Sequence, residues 1–424
     1  MSTDRATHTD RVAAQAPEGA PTGSDAVEQD SLADIIAAET AEVAGDMVQW
    51  RRDLHRHPEP SWSEHRTTAR IRGVLEALGL DPRPLSTPTG LWVDIQPPKR
   101  TLPPRIGLRA DIDALQLMDG KDVPYRSVNS GVAHACGHDV HTALLLGSAT
   151  VLTRLRDRGL LPRGVRLFFQ PAEETSPGGA GQIIRDGGMS GLREVYALHC
   201  DPRTEVGKVA VRPGPITSAC DRVQVHFAGP GGHSSRPHLT ADLVMAMGAV
   251  ITEVPLLLSR LVDPRAGASV VWGHVNAGNA PNAIPATGLL EGTLRVLDLD
   301  GWHHARNLVP DLVRKAASPF GVHVEVELAE GIPPTVNHPK GANRIAAVGR
   351  TLLGDSGVVD TEQSLGGEDF SEMLLEVPGA LGRLGVRPVD VSDWPDLHRP
   401  MFDVDEACLE VGAKTMVGLV ALRG

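Results

Sequence analysis

Along most of this chain, short apolar runs of strand length alternate with longer stretches whose apolar residues recur at helical spacing. That alternation restricts the fold to a layered α/β architecture around a mainly parallel sheet. Apolar runs at 105–108, 165–169 and 195–198 alternate with helical patterns over 32–50, 64–78, 142–155 and 180–186. Ser31 followed by Asp34 reads as a capping pair for the first of these helices, and Gly79 as the stop of the second.

From about 218 to about 328 the texture changes. Val223, Val225 and Phe227 alternate with polar residues, further strand-like runs follow at 270–274 and 289–296, and two helical patterns cover 241–258 and 302–317. This pattern predicts an antiparallel sheet carrying two helices on one face, an α+β unit inserted into the larger layer structure. The helix-strand alternation then resumes from Asn343 to a last helix over 405–422. The expected organisation is therefore a tail over 1–30, a discontinuous domain over 31–217 and 329–424, and an insert over 218–328.

Composition narrows the chemistry. A length of 424 residues with 41% hydrophobic content suits two cores. A formal net charge of -12 argues against a nucleic-acid or acidic-membrane surface and in favour of a small substrate. The four cysteines, Cys136, Cys200, Cys220 and Cys408, lack the regular spacing of a disulfide framework, which points to a reducing, cytoplasmic setting. The first 30 residues lack the apolar core of a signal peptide and are expected to be disordered, and nowhere is there an uninterrupted apolar run of the length a spanning helix needs.

Two clusters carry chemistry. In His134-Ala-Cys136-Gly-His138-Asp139-Val-His141 a thiol and three imidazoles crowd a glycine turn just before a helix. One His or Cys alone is usually structural, but so many within eight residues suit a transition metal. The second cluster, Phe168-Phe169-Gln170-Pro171-Ala172-Glu173-Glu174, is an apolar strand ending in paired carboxylates, at the sheet edge where open α/β folds place ligands. Such a pair is either a solvated helix start or the two acids that metal-assisted hydrolysis requires: one binds an ion, the other moves a proton from the attacking water to the leaving amine. His199 and His398 each follow or sit in short apolar segments and would complete a ligand set. Asp111 and Asp113 end another strand, where a carboxylate either forms a turn or orients a ligating imidazole.

These segments resemble, in order, the dinuclear metallopeptidase family that contains aminoacylase and carboxypeptidase G, in its hippurate hydrolase and auxin-conjugate amidohydrolase branch. The matching stretches include Arg52-Asp-Leu-His-Arg-His57-Pro-Glu59, Leu108-Arg-Ala-Asp111, His134 to His141, Gln170-Pro-Ala-Glu-Glu174, Ala197-Leu-His199, Gly231-Gly-His233-Ser-Ser-Arg-Pro-His238, Asn282-Ala-Ile-Pro285, Gly367-Glu-Asp-Phe370 and Leu397-His398. The resemblance implies a phosphorylase/hydrolase-like α/β/α catalytic domain with an inserted lid that carries a homodimer interface. It also implies two divalent ions (zinc, manganese or cobalt) held by Cys136, His138, Glu174, His199 and His398, with Cys136 bridging. Glu173 would be the general base and Asp111 a partner that orients a ligand. His233 would reach across the dimer to the scissile carbonyl, and Asn282 and Arg295 would hold the substrate carboxylate. Arg109 stands where relatives have a further metal-binding histidine. The activity implied is hydrolysis of small N-acyl amino acids, with dipeptidase or carboxypeptidase action as the alternative on the same scaffold. Pro60, Trp62, Cys200, Cys220 and Arg399 depart from the usual pattern and bear on the substrate pocket.

Two readings compete. Gly354-Asp-Ser356-Gly357 resembles a serine-protease nucleophile loop, with Ala197-Leu-His199-Cys200 as its histidine segment, but the α/β surroundings and the helical pattern just before it make Ser356 an ordinary turn residue. A non-catalytic binding protein would lack a ligand or Glu173, and none is missing.

Overall fold

The computed structural model describes residues 23–98, 105–329 and 331–422. The first helix, Gly23–Arg56, begins within the stretch expected to be a disordered tail, so Ser31 lies inside the helix and caps nothing; residues 1–22 are outside the described residues. Helices His65–Ala77 and His138–Asp157 follow, and the latter is almost wholly buried. Gly147 lets the first helix approach, because a side-chain carbon there would meet Met47 Sδ at 2.2 Å. Each fully buried Leu, such as Leu145, Leu146 and Leu152, contributes about 1.5–3 kcal/mol relative to exposure.

The large sheet has eight strands in the order Arg83–Pro84, Leu91–Ile95, Val165–Gln170, Ile106–Asp111, Glu194–Glu205, Gly379–Arg387, Val209–Ala210 and Val358–Val359. Its centre is parallel: Ile106–Asp111 pairs in parallel with both Val165–Gln170 and Glu194–Glu205, which in turn pairs in parallel with Gly379–Arg387. Antiparallel pairings occur nearer the edges. The central strands are buried along nearly their whole length, as strands sandwiched between helical layers must be.

A second, four-stranded antiparallel sheet runs Ser269–Ala277, Thr287–Arg295, Asp221–Ala228 and His323–Leu328. Along Asp221–Ala228 burial alternates residue by residue, the mark of one face packed and one face open. Helices Leu243–Leu261 and Leu299–Ala317 cover the packed face in a separate core containing Val223, Val225, Val250, Leu290 and Leu312. Leu243–Leu261 is, among the described residues, the one helix with the length and apolar composition to cross a membrane. Its Leu243, Met247, Val250, Val254 and Leu258 stripe packs in that core, while Val244, Met245, Leu256 and Leu261 face outward. The two sheets together form the expected α/β unit with its α+β insert. The chain enters and leaves the insert side by side: Cys220 and Ile332 exchange backbone hydrogen bonds, and Thr335–Asn337 pairs antiparallel with Gly214–Thr217.

Candidate metal centre

The turn His134 to His138 is set by Gly137, whose φ of 87° lies in the left-handed region and whose missing side chain would strike Cys200 Sγ at 2.7 Å. It delivers Cys136 and His138 to the carboxyl end of the parallel strands, beside Glu173 and Glu174 after Val165–Gln170 and His199 in Glu194–Glu205. His398 arrives from far along the chain; its backbone N–H donates to Ala135 O at 2.8 Å.

The ligand atoms fall into two triples that share Cys136. One is Cys136, His138 and His199; the other is Cys136, Glu174 and His398, and within each all atoms lie within 4.8 Å of one another. Cys136 Sγ is 3.5 Å from His199 Nε2 and 3.3 Å from His398 Nε2, which is 3.4 Å from Glu174 Oε1. The hydrogen bonds fix the tautomers that ligation requires. His138 Nδ1 lies 3.0 Å from Asp113 O and 3.2 Å from Asp113 Oδ1, and His199 Nδ1 lies 2.9 Å from Cys200 O, so both Nε2 lone pairs point into the cluster. His138 Nε2 and Glu174 Oε1 are buried and have no hydrogen-bond partner among the described residues.

Electrostatics fit the same occupant. Burial, then the charges of Glu174, Glu173 and Asp111, push the Cys136 thiol well above its ordinary range. Burial alone would lower His138, yet Asp111, Asp113 and Glu174 raise it to about 10. The pocket therefore draws positive charge to the point on which thiol, imidazole and carboxylate donors converge, a donor set suited to a divalent transition ion.

His141 is not part of either triple through Cys136. Its Nδ1 meets Asp111 Oδ1 at 2.6 Å and its Nε2 accepts from the Cys200 N–H at 2.8 Å. Asp111 thus holds His141, and Asp113 takes the position against His138 Nδ1. Arg109 lies beneath, its guanidinium donating to Asp111, Gln170 and Asp369 at 2.6–2.9 Å and pairing with Glu368 at 3.0 Å. Glu173 is 8% exposed, and burial, then Glu368, Glu174 and Asp369, hold its carboxyl well above the usual carboxylate range.

Glu173, Glu174, Cys136, His199, His398 and Arg295 line one cleft of 1110 Å³ between the large sheet and the insert. Arg295, on Thr287–Arg295, donates to Leu365 O. His233 and Asn282 sit together elsewhere, on the exposed ribbon in which Gly232–His233 pairs with Ala283–Ile284; neither lines the cleft of its own chain. Ser356 lies on the exposed turn Asp355–Gly357, outside the cleft, so no serine triad forms with His199. Glu368 and Arg383 also line the cleft. Glu368 lies in the Gly367-Glu-Asp-Phe370 stretch, where no spacing to the other acids marks it for the cleft, and nothing local in sequence marks Arg383.

A family model described as Peptidase family M20/M25/M40 matches residues 107–422. The chain is 36% identical over 365 residues to an N-acetyl-L-cysteine deacetylase of Bacillus subtilis, covering 86% of this chain and 84% of that protein. It is 42% identical over 392 residues to a protein of Rhodococcus jostii called a putative glutamate–cysteine ligase; this covers 92% of the chain, which spans only 48% of that relative. Among solved structures, a Bacillus subtilis protein described as a dinuclear metal-binding peptidase of the M20 family aligns with a TM-score of 0.77 and 28% identity, over 90% of this chain and 98% of the other.

Proposed function

The chain belongs to peptidase family M20/M25/M40 and is a metal-dependent hydrolase of amide bonds, and on that premise we propose that it cleaves small N-acyl amino acids. The observation that carries this reading is the pair of ligand triples meeting at Cys136, with the Glu173 carboxyl beside them. Cys136, His138 and His199 would hold one divalent ion, and Cys136, Glu174 and His398 the second. Zinc, manganese and cobalt all suit such donors, and when bound they supply the Lewis acidity that makes water a nucleophile and polarises a carbonyl.

Glu173 takes the proton of the attacking water and passes it to the departing amine, a role served by a carboxyl whose proton affinity burial, then the surrounding acids, have raised. Asp113 and the Cys200 carbonyl keep His138 and His199 in their ligating tautomers. Residues 31–217 and 329–424 form the catalytic domain, and 218–328 a lid that is also the dimerisation unit. The edge strand Ser269–Ala277, which has no neighbour on its outer side among the described residues, and the outward Val244, Met245 and Leu256 of the helix packed beside it support a homodimer through the insert. In that dimer His233 of one copy serves the carbonyl in the other copy's cleft, with Asn282 and Arg295 holding the substrate carboxylate. The four free thiols support a cytoplasmic setting.

Dialysis against a chelator abolishes hydrolysis of N-acetyl and N-benzoyl amino acids, and zinc, manganese or cobalt restores it. Glu173→Ala retains fold and metal but loses several orders of magnitude in kcat. Chelator-resistant turnover with covalent labelling at Ser356 would overturn the reading. Faster cleavage of dipeptides than of N-acyl amino acids would shift it to a dipeptidase or carboxypeptidase.

A further inference from the structure

Among the described residues, the cleft holds a cation, Arg383, that the catalytic scheme does not use and that no acidic side chain pairs. Arg383 lies on the central strand Gly379–Arg387, in parallel register opposite His199. Side chains alternate along a strand, so Arg383 and Leu381 project into the cleft while Leu384 enters the core. Arg383 is 9% exposed, yet its guanidinium makes no hydrogen bond or ion pair among the described residues. Its nearest charges act at longer range: Asp201, Arg203, Glu368 and Cys136. The Asp201 carboxylate is already engaged by the Arg203 N–H at 3.1 Å and the Thr204 hydroxyl at 2.7 Å.

A nearly buried, unpaired guanidinium is costly unless something binds it. The other cations lining the cleft differ. Arg222 and His274 are both paired with Glu291, whereas Arg295, on the lid strand, has only the Leu365 carbonyl. Two guanidinium groups without carboxylate partners therefore face the cleft, one from the lid and one from the large sheet. A substrate whose single carboxylate is held by Arg295 leaves Arg383 nearly buried and unpaired.

We propose that Arg383 is a specificity residue that recognises a second carboxylate, so that the preferred substrates are N-acyl amino acids carrying two carboxylates. This rests on the amidohydrolase reading above. The second carboxylate belongs either to an acidic amino acid, as in N-acetylglutamate and N-acetylaspartate, or to a dicarboxylic acyl group, as in N-succinylalanine. The chemistry recognised is the same, and the substrate comparison separates the two sources.

The test compares kcat/KM of the metal-reconstituted protein on N-acetylglutamate against N-acetylglutamine, N-acetylaspartate against N-acetylasparagine, and N-succinylalanine against N-acetylalanine. The dianionic member of at least one pair is favoured about tenfold or more, the range of a charge-assisted hydrogen bond. Arg383→Met lowers that ratio at least about tenfold, mainly through KM, and Arg383→Lys restores part of it. Independently of turnover, calorimetry on the metal-free protein shows glutarate binding more tightly than butyrate, an advantage lost in Arg383→Met. Should Arg383→Met fail to fold, the wild-type ratios and Arg383→Lys still decide. Equal or better turnover of the neutral members, or a uniform loss on all substrates in the variants, overturns the inference while leaving the amidohydrolase reading intact. No turnover of any substrate with zinc, manganese or cobalt overturns both.

Discussion

Glu64 supports the loop that carries Glu173 and Glu174, and its titration should be visible in the stability of the protein. The side chain is sealed; Oε1 accepts from the Ala172 N–H at 2.8 Å, and Oε2 has no hydrogen-bond partner among the described residues. Burial raises its pKa from 4.5 to about 7. Between those values the folded protein keeps a proton that the unfolded chain has lost, so Glu64 makes the fold less stable as pH rises through this window. A raised carboxyl is the opposite of the salt-bridged case, whose contribution is lost as pH falls. At 1.36 kcal/mol per pKa unit the full effect is about 3 kcal/mol, most of which falls between pH 5 and pH 8. Glu64→Gln keeps an oxygen for Ala172 and cannot ionise. In urea titrations at fixed metal concentration, the loss of stability from pH 5 to pH 8 should be smaller in the variant by about 2–3 kcal/mol, since the other titrating groups cancel in the comparison. Parallel pH profiles for the two proteins would refute the reasoning.

Cys136→Ser should lower the bound metal content, measured by elemental analysis after gel filtration, because the shared thiolate belongs to both ligand triples; a full complement of two ions would exclude thiolate ligation. His233→Ala and Glu173→Ala should each be nearly inactive alone, yet mixing them in equal amounts under subunit exchange should restore roughly a quarter of wild-type activity, because statistical hybrids hold one intact site made from both chains. Failure of the mixture to regain activity would place His233 in its own chain's chemistry or outside it.

Much of the centre was legible because its donors are dense in sequence: Cys136 and His138 share one turn, and Glu173 and Glu174 adjoin at a strand end. The insert was legible from its change of period. The central strand Gly379–Arg387 was not, because three glycines depress strand propensity, yet the neighbouring backbone requires two of them. Side-chain carbons at Gly379 and Gly385 would meet Val195 O and Glu205 O at 1.8 and 2.0 Å. Missing that strand also hid Arg383, whose position depends on its register with His199. Which aspartate serves which imidazole was equally invisible, since Asp111 and Asp113 lie on one strand end and only the fold directs one to His141 and the other to His138. The early start of the first helix at Gly23 escaped because residues 23–30, mostly small, polar or acidic with Val27 as the one large apolar side chain, offer no apolar period to read.

The side-by-side entry and exit of the insert at Cys220 and Ile332 also bears on how such a chain diversifies. Both ends of a whole folding module meet at one doorstep, so the module can be exchanged for another, or excised and the gap spliced with a short turn, without cutting any strand of the eight-stranded sheet. Every donor of the two ligand triples lies outside that module, whereas His233, Asn282 and Arg295 lie within it. On the proposed reading the cation-holding residues and three of the residues that meet the substrate sit on separable parts of one polypeptide, free to drift at different rates, while Arg383 stays with the large sheet.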